Sequence, residues 1–179
     1  ATINSPFPSL DLIPANGWRL SASSLSNLWH LEGETLSINA EGATHPDVTV
    51  TNGMARLTRG VGYAVAGLKC PARLQTMRIE AGAADSTSQG KMKRINEVTV
   101  RLVQALGGEA GPDFNNMAPL QYRTSAVPLD QPPPVADADA RVLWNKGYDT
   151  KGRLAIRQAD PFPMTVVALL PQVVTYDRG

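Results

Sequence analysis

Histidine and cysteine, the residues that most often bind zinc or act as nucleophiles, are few in this sequence. The two histidines are His30 and His45, and the single cysteine is Cys70. A zinc site would need further ligands such as Glu32 or Asp47, and their spacing matches no known zinc pattern. Cys70 has no histidine near it in sequence, which favours a small buried hydrophobe over a catalytic thiol. With no nucleotide-binding or hydrolase motif either, we expect no metal, no cofactor and no enzymatic activity.

Four cations within about eleven residues, Lys91, Lys93, Arg94 and Arg101, are the strongest charge cluster for binding a partner. Such a group could follow a phosphate backbone. The aromatic residues that single-strand binding platforms need are not interleaved with it. We favour two other roles for these cations: they lie in solvent at the base of a loop, or they form ion pairs with a neighbouring subunit. These four residues are the candidate subunit or DNA-channel contacts.

The remaining polar and aromatic candidates favour structural roles. Asp137 and Asp139 are typical of a solvated acidic turn rather than of paired catalytic carboxylates. Trp18, Trp29 and Trp144 are scattered and lack polar companions. We therefore expect them in a core or an interface rather than in sugar-binding platforms.

Composition limits the class of protein. The chain has 179 residues, of which 42% are hydrophobic and 6% aromatic, with a net charge of +1. This is the composition of a globular chain with no overall attraction to nucleic acid or to anionic membranes. One cysteine excludes an intrachain disulfide. The longest apolar run, residues 164–170, is strand-sized and far short of the roughly 20 residues of a membrane helix.

Frequent prolines and glycines predict short strands and an all-β fold. We expect residues 1–27 to form an extended arm (1–16) and a first strand. Residues 28–67 carry four or five short strand signals and predict a small β-barrel. Turns are expected at Glu41-Gly42 and at Asn52-Gly53, the second a hairpin turn with positive φ at both positions. The barrel is expected to be inserted in a second antiparallel β-sheet domain, residues 68–179. In that arrangement residues 18–22 would pair with residues 74–79.

The second domain is predicted from longer strands. Residues 95–102 give the clearest pattern, with alternate apolar residues on one face. Residues 111–140 are interpreted as a long Pro-rich excursion with room for a short helix near 115–120. Residues 152–157 and 164–170 are predicted strands joined by a hairpin connection at 160–163. The continuously apolar residues 164–170 should be buried on both faces.

Several strings resemble those of one known family. Residues 28–36, Leu-Trp-His-Leu-Glu-Gly-Glu-Thr-Leu, are followed by Ala-Glu-Gly-Ala at 40–43 and by His-Pro-Asp-Val-Thr-Val-Thr-Asn-Gly at 45–53. Residues 87–96, Thr-Ser-Gln-Gly-Lys-Met-Lys-Arg-Ile-Asn, and residues 156–166, Ile-Arg-Gln-Ala-Asp-Pro-Phe-Pro-Met-Thr-Val, continue the series. Together they resemble the C-terminal half of the tail nozzle proteins, or tail tubular proteins B, of short-tailed bacteriophages. The first stretch is also similar to a small barrel in ubiquitin-activating enzymes, the first catalytic-cysteine half-domain, and this likeness concerns the fold only.

The resemblance implies a structural role in a virion made in the host cytoplasm. Nozzle subunits form a ring, usually hexameric, that meets adaptor, nozzle or needle proteins and lets genomic DNA pass with weak, non-specific contact. The alternative is a ligand- or receptor-binding β module of a tail tip, for which Trp29 or Trp144 would be the platform.

Departures from the family concern length and two short segments. Family chains are several times longer, so this polypeptide is either a fragment or one part of a nozzle divided between two chains. Residues 69–71, Lys-Cys-Pro, replace the usual Pro-Tyr segment, and residues 54–56, Met-Ala-Arg, interrupt an otherwise aliphatic strand. Both differences affect expected contacts with neighbours rather than the fold.

Overall fold

The computed structural model describes residues 21–80, 88, 90–121, 127–128, 130–144 and 146–176. Its regular elements are β-strands apart from one short 3-10 helix, so the all-β prediction is confirmed for these residues. In chain order they are β1 (Ala22–Leu25), the 3-10 helix (Trp29–Leu31), β2 (Thr35–Ala40), β3 (Ala43–Thr49), β4 (Ala55–Val61), β5 (Ala64–Leu68), β6 (Ala72–Gln75), β7 (Met92–Ala105), β8 (Glu109–Asp113), β9 (Asn116–Pro119), β10 (Ala136–Leu143), β11 (Ala155–Gln158) and β12 (Thr165–Tyr176). The predicted arm at residues 1–16 lies outside the described part.

The chain divides into two compact units, Ala1–Cys70 and Pro71–Gly179. In the first unit β2 pairs antiparallel with both β3 and β5, while β1 pairs with β4. Apolar residues from all five of these strands meet in one core, to which β3 contributes the partly buried Val48. The buried members are Leu25, Leu28, Leu36, Ile38, Ala40, Val50, Ala55, Leu57, Val61 and Ala64. Closure of the strands into a barrel stays a prediction.

Two tight turns organise the first unit. Asn52 and Gly53 have φ values of 54° and 66°, so the predicted turn with positive φ at both positions is confirmed. The flanking residues Thr51 and Met54 exchange both backbone hydrogen bonds, at 2.8 and 3.1 Å. The predicted turn at Glu41-Gly42 is also present, with φ values of 56° and 83°. The Glu41-Gly42 turn joins β2 to β3 and sets their register. The Asn52-Gly53 turn directly precedes β4.

The predicted link between the two units is wrong at the described positions. Residues 18–22 were expected to pair with residues 74–79. Instead Ala22 pairs with Val61 of β4, and Leu74 pairs with Ile156 of β11. The reason lies in the core, because Leu25 of β1 is buried within the first unit. β1 is therefore a strand of the first unit and not of the second. Trp18, where the predicted pairing began, lies outside the described residues.

The second unit contains two antiparallel sheets with strand orders β10-β7-β12 and β6-β11-β8-β9. Both sheets contribute side chains to one core, which includes Val98, Val100 and Leu102 of β7 and Ile156 of β11. The three β7 residues are at most 1% exposed, which confirms the predicted alternating strand. Within the described residues no helix is long and apolar enough to cross a membrane.

Three predictions for the second unit are wrong. Residues 111–140 are not one irregular excursion, since β8 and β9 form a hairpin there and β10 begins at Ala136. The short helix near 115–120 is replaced by β9, because Asp113 accepts hydrogen bonds from the backbone of Asn115 and Asn116 and closes a turn. β11 and β12 lie in different sheets, so residues 160–163 do not connect a hairpin.

Candidate functional site

The four predicted contact cations do not form one positive row. Lys91 precedes β7 and is half-buried, while Arg94 and Arg101 are exposed. Lys93 is only 2% exposed, so its prediction as a subunit or DNA-channel contact is wrong. The cause is a register shift between β7 and β12 at residues 95–97, beyond which Ile95 and Lys93 are buried and Arg94 is exposed. Arg94 and Arg101 therefore define the candidate site, which is the outer face of the β10-β7-β12 sheet.

Arg101 is paired with a carboxylate on that face. Asp139 of β10 lies directly opposite Arg101, and its two carboxylate oxygens accept hydrogen bonds from Nε and Nη2, both at 2.9 Å. This hydrogen bonding raises the pKa of Arg101 and lowers the pKa of Asp139. Both groups are about half exposed, so the pair orients the two side chains and adds little stability. The predicted acidic turn at Asp137 and Asp139 is wrong, because both residues lie in β10.

Large apolar side chains share this outer face. In the register of the sheet, Leu170 lies opposite Thr99, Val174 lies opposite Arg94, and Leu143 lies opposite Glu97. Leu143 is 75% exposed, and Leu170 and Val174 are each 47% exposed. Such neighbouring apolar groups on a sheet surface are typical of an interaction site rather than of a free surface.

β12 is the part of this face that sequence reasoning misjudged. Its apolar run was expected to be buried on both sides. Instead Leu169 packs against the core while Leu170, Val167 and Val174 are exposed. A continuous apolar run requires cover on both faces, and within the described chain only one face of β12 is covered. The continuous apolar run at residues 164–170 was the feature of the sequence that indicated an interaction surface.

The tryptophans have different environments. Trp144 is 6% exposed and packs in the core of the second unit, as predicted for a structural tryptophan. Trp29 is 67% exposed, and its indole lies against Gly53 at the Asn52-Gly53 turn. The Glu32 carboxylate accepts hydrogen bonds from the backbone N–H groups of Asn52 and Gly53, both at 2.7 Å. Trp29 is therefore an exposed ring that lies against a hydrogen-bonded turn.

The two histidines and the cysteine lie in different environments. His45 is buried, and its Nε2 accepts a hydrogen bond from the Thr58 backbone N–H at 3.0 Å. Its Nδ1 lies 2.7 Å from the Pro46 carbonyl oxygen and is the protonated nitrogen that donates to it. His30 is exposed. Cys70 is also exposed, so its prediction as a buried hydrophobe is wrong, because it follows β5 as the last residue of the first unit.

The structure brings no metal-binding set together in the part of the chain that it describes. No group of three or more His, Cys, Asp or Glu side chains is placed to hold an ion there. The chemistry available on the outer face is packing and ion pairing. Comparison with known proteins gives no assignment, because no family model matches the chain and no curated protein is significantly similar to it.

Proposed function

We propose that this chain is a structural subunit of a short-tailed phage tail, in the nozzle or tail-tube ring through which DNA is ejected. The role is non-enzymatic, with other copies of the chain and adjacent adaptor, nozzle or needle proteins as partners. Contact with passing DNA is transient and independent of sequence. The proposal rests on the resemblance of the sequence to the nozzle family and on what the resembling residues do in the fold.

The observation that carries the proposal is that the first three resembling strings, within residues 28–53, hold the first unit together. Leu28 is 1% exposed in the core, and its backbone N–H donates to the Gly53 carbonyl at 2.9 Å. Glu32, from the same string, accepts the two N–H groups at the tip of the Asn52-Gly53 turn. A carboxylate that holds a turn between two strings of the motif is a structural element. Residues shared with the family for this reason favour a scaffold rather than a reaction centre.

The outer face of the β10-β7-β12 sheet is the surface we assign to contact between copies. It presents exposed Leu143, Leu170 and Val174 together with charges of both signs, at Arg101 and Asp139. A surface with apolar residues and both charges can meet the same or a neighbouring patch of a second copy without net repulsion. We place Arg101 in this contact rather than along a DNA path, since the Asp139 carboxylate already neutralises it.

The experiment is a mass measurement of the purified chain by light scattering over a range of concentrations, with electron microscopy of any oligomer. We expect ring particles with a central opening, and loss of the oligomer in Leu170→Glu. Val65→Glu is the matched control, because Val65 is 46% exposed on β5 of the first unit and Leu170 is 47% exposed. A chain that remains monomeric at the highest attainable concentration, or a Leu170→Glu variant that assembles normally, contradicts the proposal.

Trp29 supports a second candidate, the receptor-binding module of a tail tip. An exposed indole that lies against a hydrogen-bonded turn is suited to stacking against a sugar ring, and Trp144 is too buried for that role. Glycan-array binding that disappears in Trp29→Ala, with an unchanged fold, would favour this candidate. Equal binding by the variant, or no binding by the wild type, would exclude it.

A further inference from the structure

The second unit contains a cavity of about 700 Å³ whose described lining is rich in cations. Arg78, Lys93 and Arg153 line it, with Glu80 as the one carboxylate among the described lining residues. The hydroxyl of Thr150 adds a neutral hydrogen-bonding group. The volume is within the range of small-molecule sites, about 300–1,000 Å³. Its charge favours an anionic occupant.

Lys93 is the most informative residue of this cavity. It is 2% exposed, and its ammonium donates one hydrogen bond, to the Ile79 carbonyl oxygen at 2.7 Å. An ammonium carries three N–H donors, and no ion pair of Lys93 occurs within the described chain. Burial of a charge is costly unless it is paired and hydrogen-bonded. The remaining donors of Lys93 are therefore a reason to expect an anion beside it.

Backbone hydrogen bonds and the neighbouring Gly152 fix the position of Lys93. Its N–H and C=O groups exchange hydrogen bonds with Asp149, at 2.9 and 2.7 Å. Its stem passes Gly152, where an added Cβ would lie 3.4 Å from the Lys93 Cδ. Gly152 has a φ of 50°, a conformation that favours glycine. The segment after Asp149 thus leaves room for the lysine stem.

Arg153 supplies a second unsatisfied cationic group. Its Nε is buried and has no hydrogen-bond partner among the residues that the structure describes. A buried N–H without an acceptor is uncommon in native proteins, and each case calls for a specific explanation. The planar guanidinium presents parallel N–H donors that match the oxygens of a phosphate. An oxyanion between Lys93 and Arg153 would satisfy both residues at once.

We propose that this cavity binds a phosphate group, with Lys93 and Arg153 as its ligands and the exposed Arg78 at its rim. The phosphate is either free inorganic phosphate or the phosphate of a small organic molecule, since the volume exceeds what a single phosphate fills. Binding supplies acceptors for the spare donors of Lys93 and for Arg153 Nε. The site is independent of the oligomeric state and of the tail function proposed above.

The test is a titration of the full ¹⁵N-labelled chain, followed by amide NMR shifts at constant ionic strength. The probes are inorganic phosphate, thymidine 5′-monophosphate and thymidine. We expect both phosphates to shift amides around Lys93, Gly152 and Arg153 in a saturable manner, and thymidine to cause no such shifts. Tighter binding of the monophosphate would assign the site to an organic phosphate, and equal binding would assign it to the free ion.

Three variants decide whether the cavity is responsible. Lys93→Met keeps the apolar stem and removes the charge, and Arg153→Met removes the second ligand. Arg94→Met is the matched control, because Arg94 adjoins Lys93 in β7 and lies on the opposite, exposed face. We expect at least tenfold weaker phosphate binding for Lys93→Met and Arg153→Met, and unchanged binding for Arg94→Met.

The outcomes are unambiguous even if one variant does not fold. If the amide spectrum shows that Lys93→Met is unfolded, Arg153→Met decides alone. Absence of saturable phosphate binding by the wild type overturns the proposal. So does equal weakening by Arg94→Met, which would indicate general charge attraction. Binding of thymidine as tight as that of its monophosphate would show that the cavity does not recognise the phosphate group.

Discussion

Replacing Gly53 with valine tests how the first unit is held together. The residue has a φ of 66°, in the left-handed region where a β-branched side chain is strained. A Cβ added there would lie 2.5, 2.6 and 3.0 Å from three carbon atoms of the Trp29 indole. The substitution therefore has two separate effects: it strains the backbone of the Asn52-Gly53 turn, and it displaces the ring that covers the turn.

The expected loss of stability follows from these two effects. A residue forced into an unfavourable backbone region costs about 1–3 kcal/mol. A tryptophan side chain buries about 150–250 Å² when fully covered. Since Trp29 is 67% exposed, only about a third of it is covered, and losing that contact costs at most about 1–2 kcal/mol at about 25 cal/mol per Å². The total is about 2–5 kcal/mol.

Thermal unfolding by calorimetry and circular dichroism measures this loss. For a unit of this size, about 4–8 °C of melting temperature corresponds to 1 kcal/mol, so we expect a decrease of roughly 10 °C or more. Gly33→Val is the matched control, because Gly33 has a φ of 81° and no atom within 4 Å of an added Cβ. It reports backbone strain alone. Trp29→Ala combined with Gly53→Val should remove the steric part.

Two results would refute the reasoning. A Gly53→Val variant that melts at the wild-type temperature would show that the turn does not require a positive φ. Equal losses for Gly53→Val and Gly33→Val would show that the Trp29 indole does not resist the added side chain. The amide signals of Asn52 and Gly53 give a local check, since both N–H groups donate to Glu32 and should move if the turn rearranges.

Three further predictions concern single side chains. Glu32→Gln should destabilise the first unit by about 1–3 kcal/mol in urea unfolding, because the amide has one oxygen where the carboxylate uses two to accept N–H groups. The control Glu34→Gln should have little effect, since Glu34 is exposed. Leu102→Ala should cost about 2–5 kcal/mol, since Leu102 is 1% exposed, whereas the 75% exposed Leu143→Ala should melt near the wild-type temperature. The pKa of Asp139 should lie below its ordinary value of 3.8, so its contribution to stability is present above that pH and lost as the pH falls through the lowered value. A carboxyl NMR titration with a midpoint at or above 3.8 would contradict the last prediction.

Local backbone signals were the reliable part of the sequence. Asn-Gly and Glu-Gly dipeptides between alternating segments correctly predicted the turns at residues 52–53 and 41–42. They are informative because a positive φ is tolerated by few residue types, and tolerance is a property of the residue itself. The alternation of Val98, Val100 and Leu102 was equally reliable, since one strand face must reach the core wherever the partners lie.

Strand partners were the unreliable part. Ala22 and Leu74 are both found in antiparallel pairs, but not with each other. A strand offers the same backbone groups to any partner, and the choice depends on which apolar face is covered by which core. The same limit explains β12. Its apolar sequence indicates that both faces of the strand should be buried. It does not reveal that the outer face, with Leu170, is left exposed by the described chain.

The position of Lys93 depends on a β-bulge that a strict two-residue period cannot represent. Counting back from Val98 in steps of two places residues 96 and 94 on the core face, which would bury Arg94 and expose Lys93. The register instead shifts at this point, because Glu97 pairs with Gln172 while Ile95 pairs with the next residue, Val173. An extra residue on one strand of an antiparallel pair shifts the inward and outward alternation of that strand's side chains by one position beyond the bulge. Ile95, an apolar residue at a position the period assigns to solvent, was the sequence signal of that shift, and its burial at 4% carries Lys93 into the cavity. The cationic site of the second unit therefore depends on the bulge, and the pairing of β7 with β12 shows where the bulge lies.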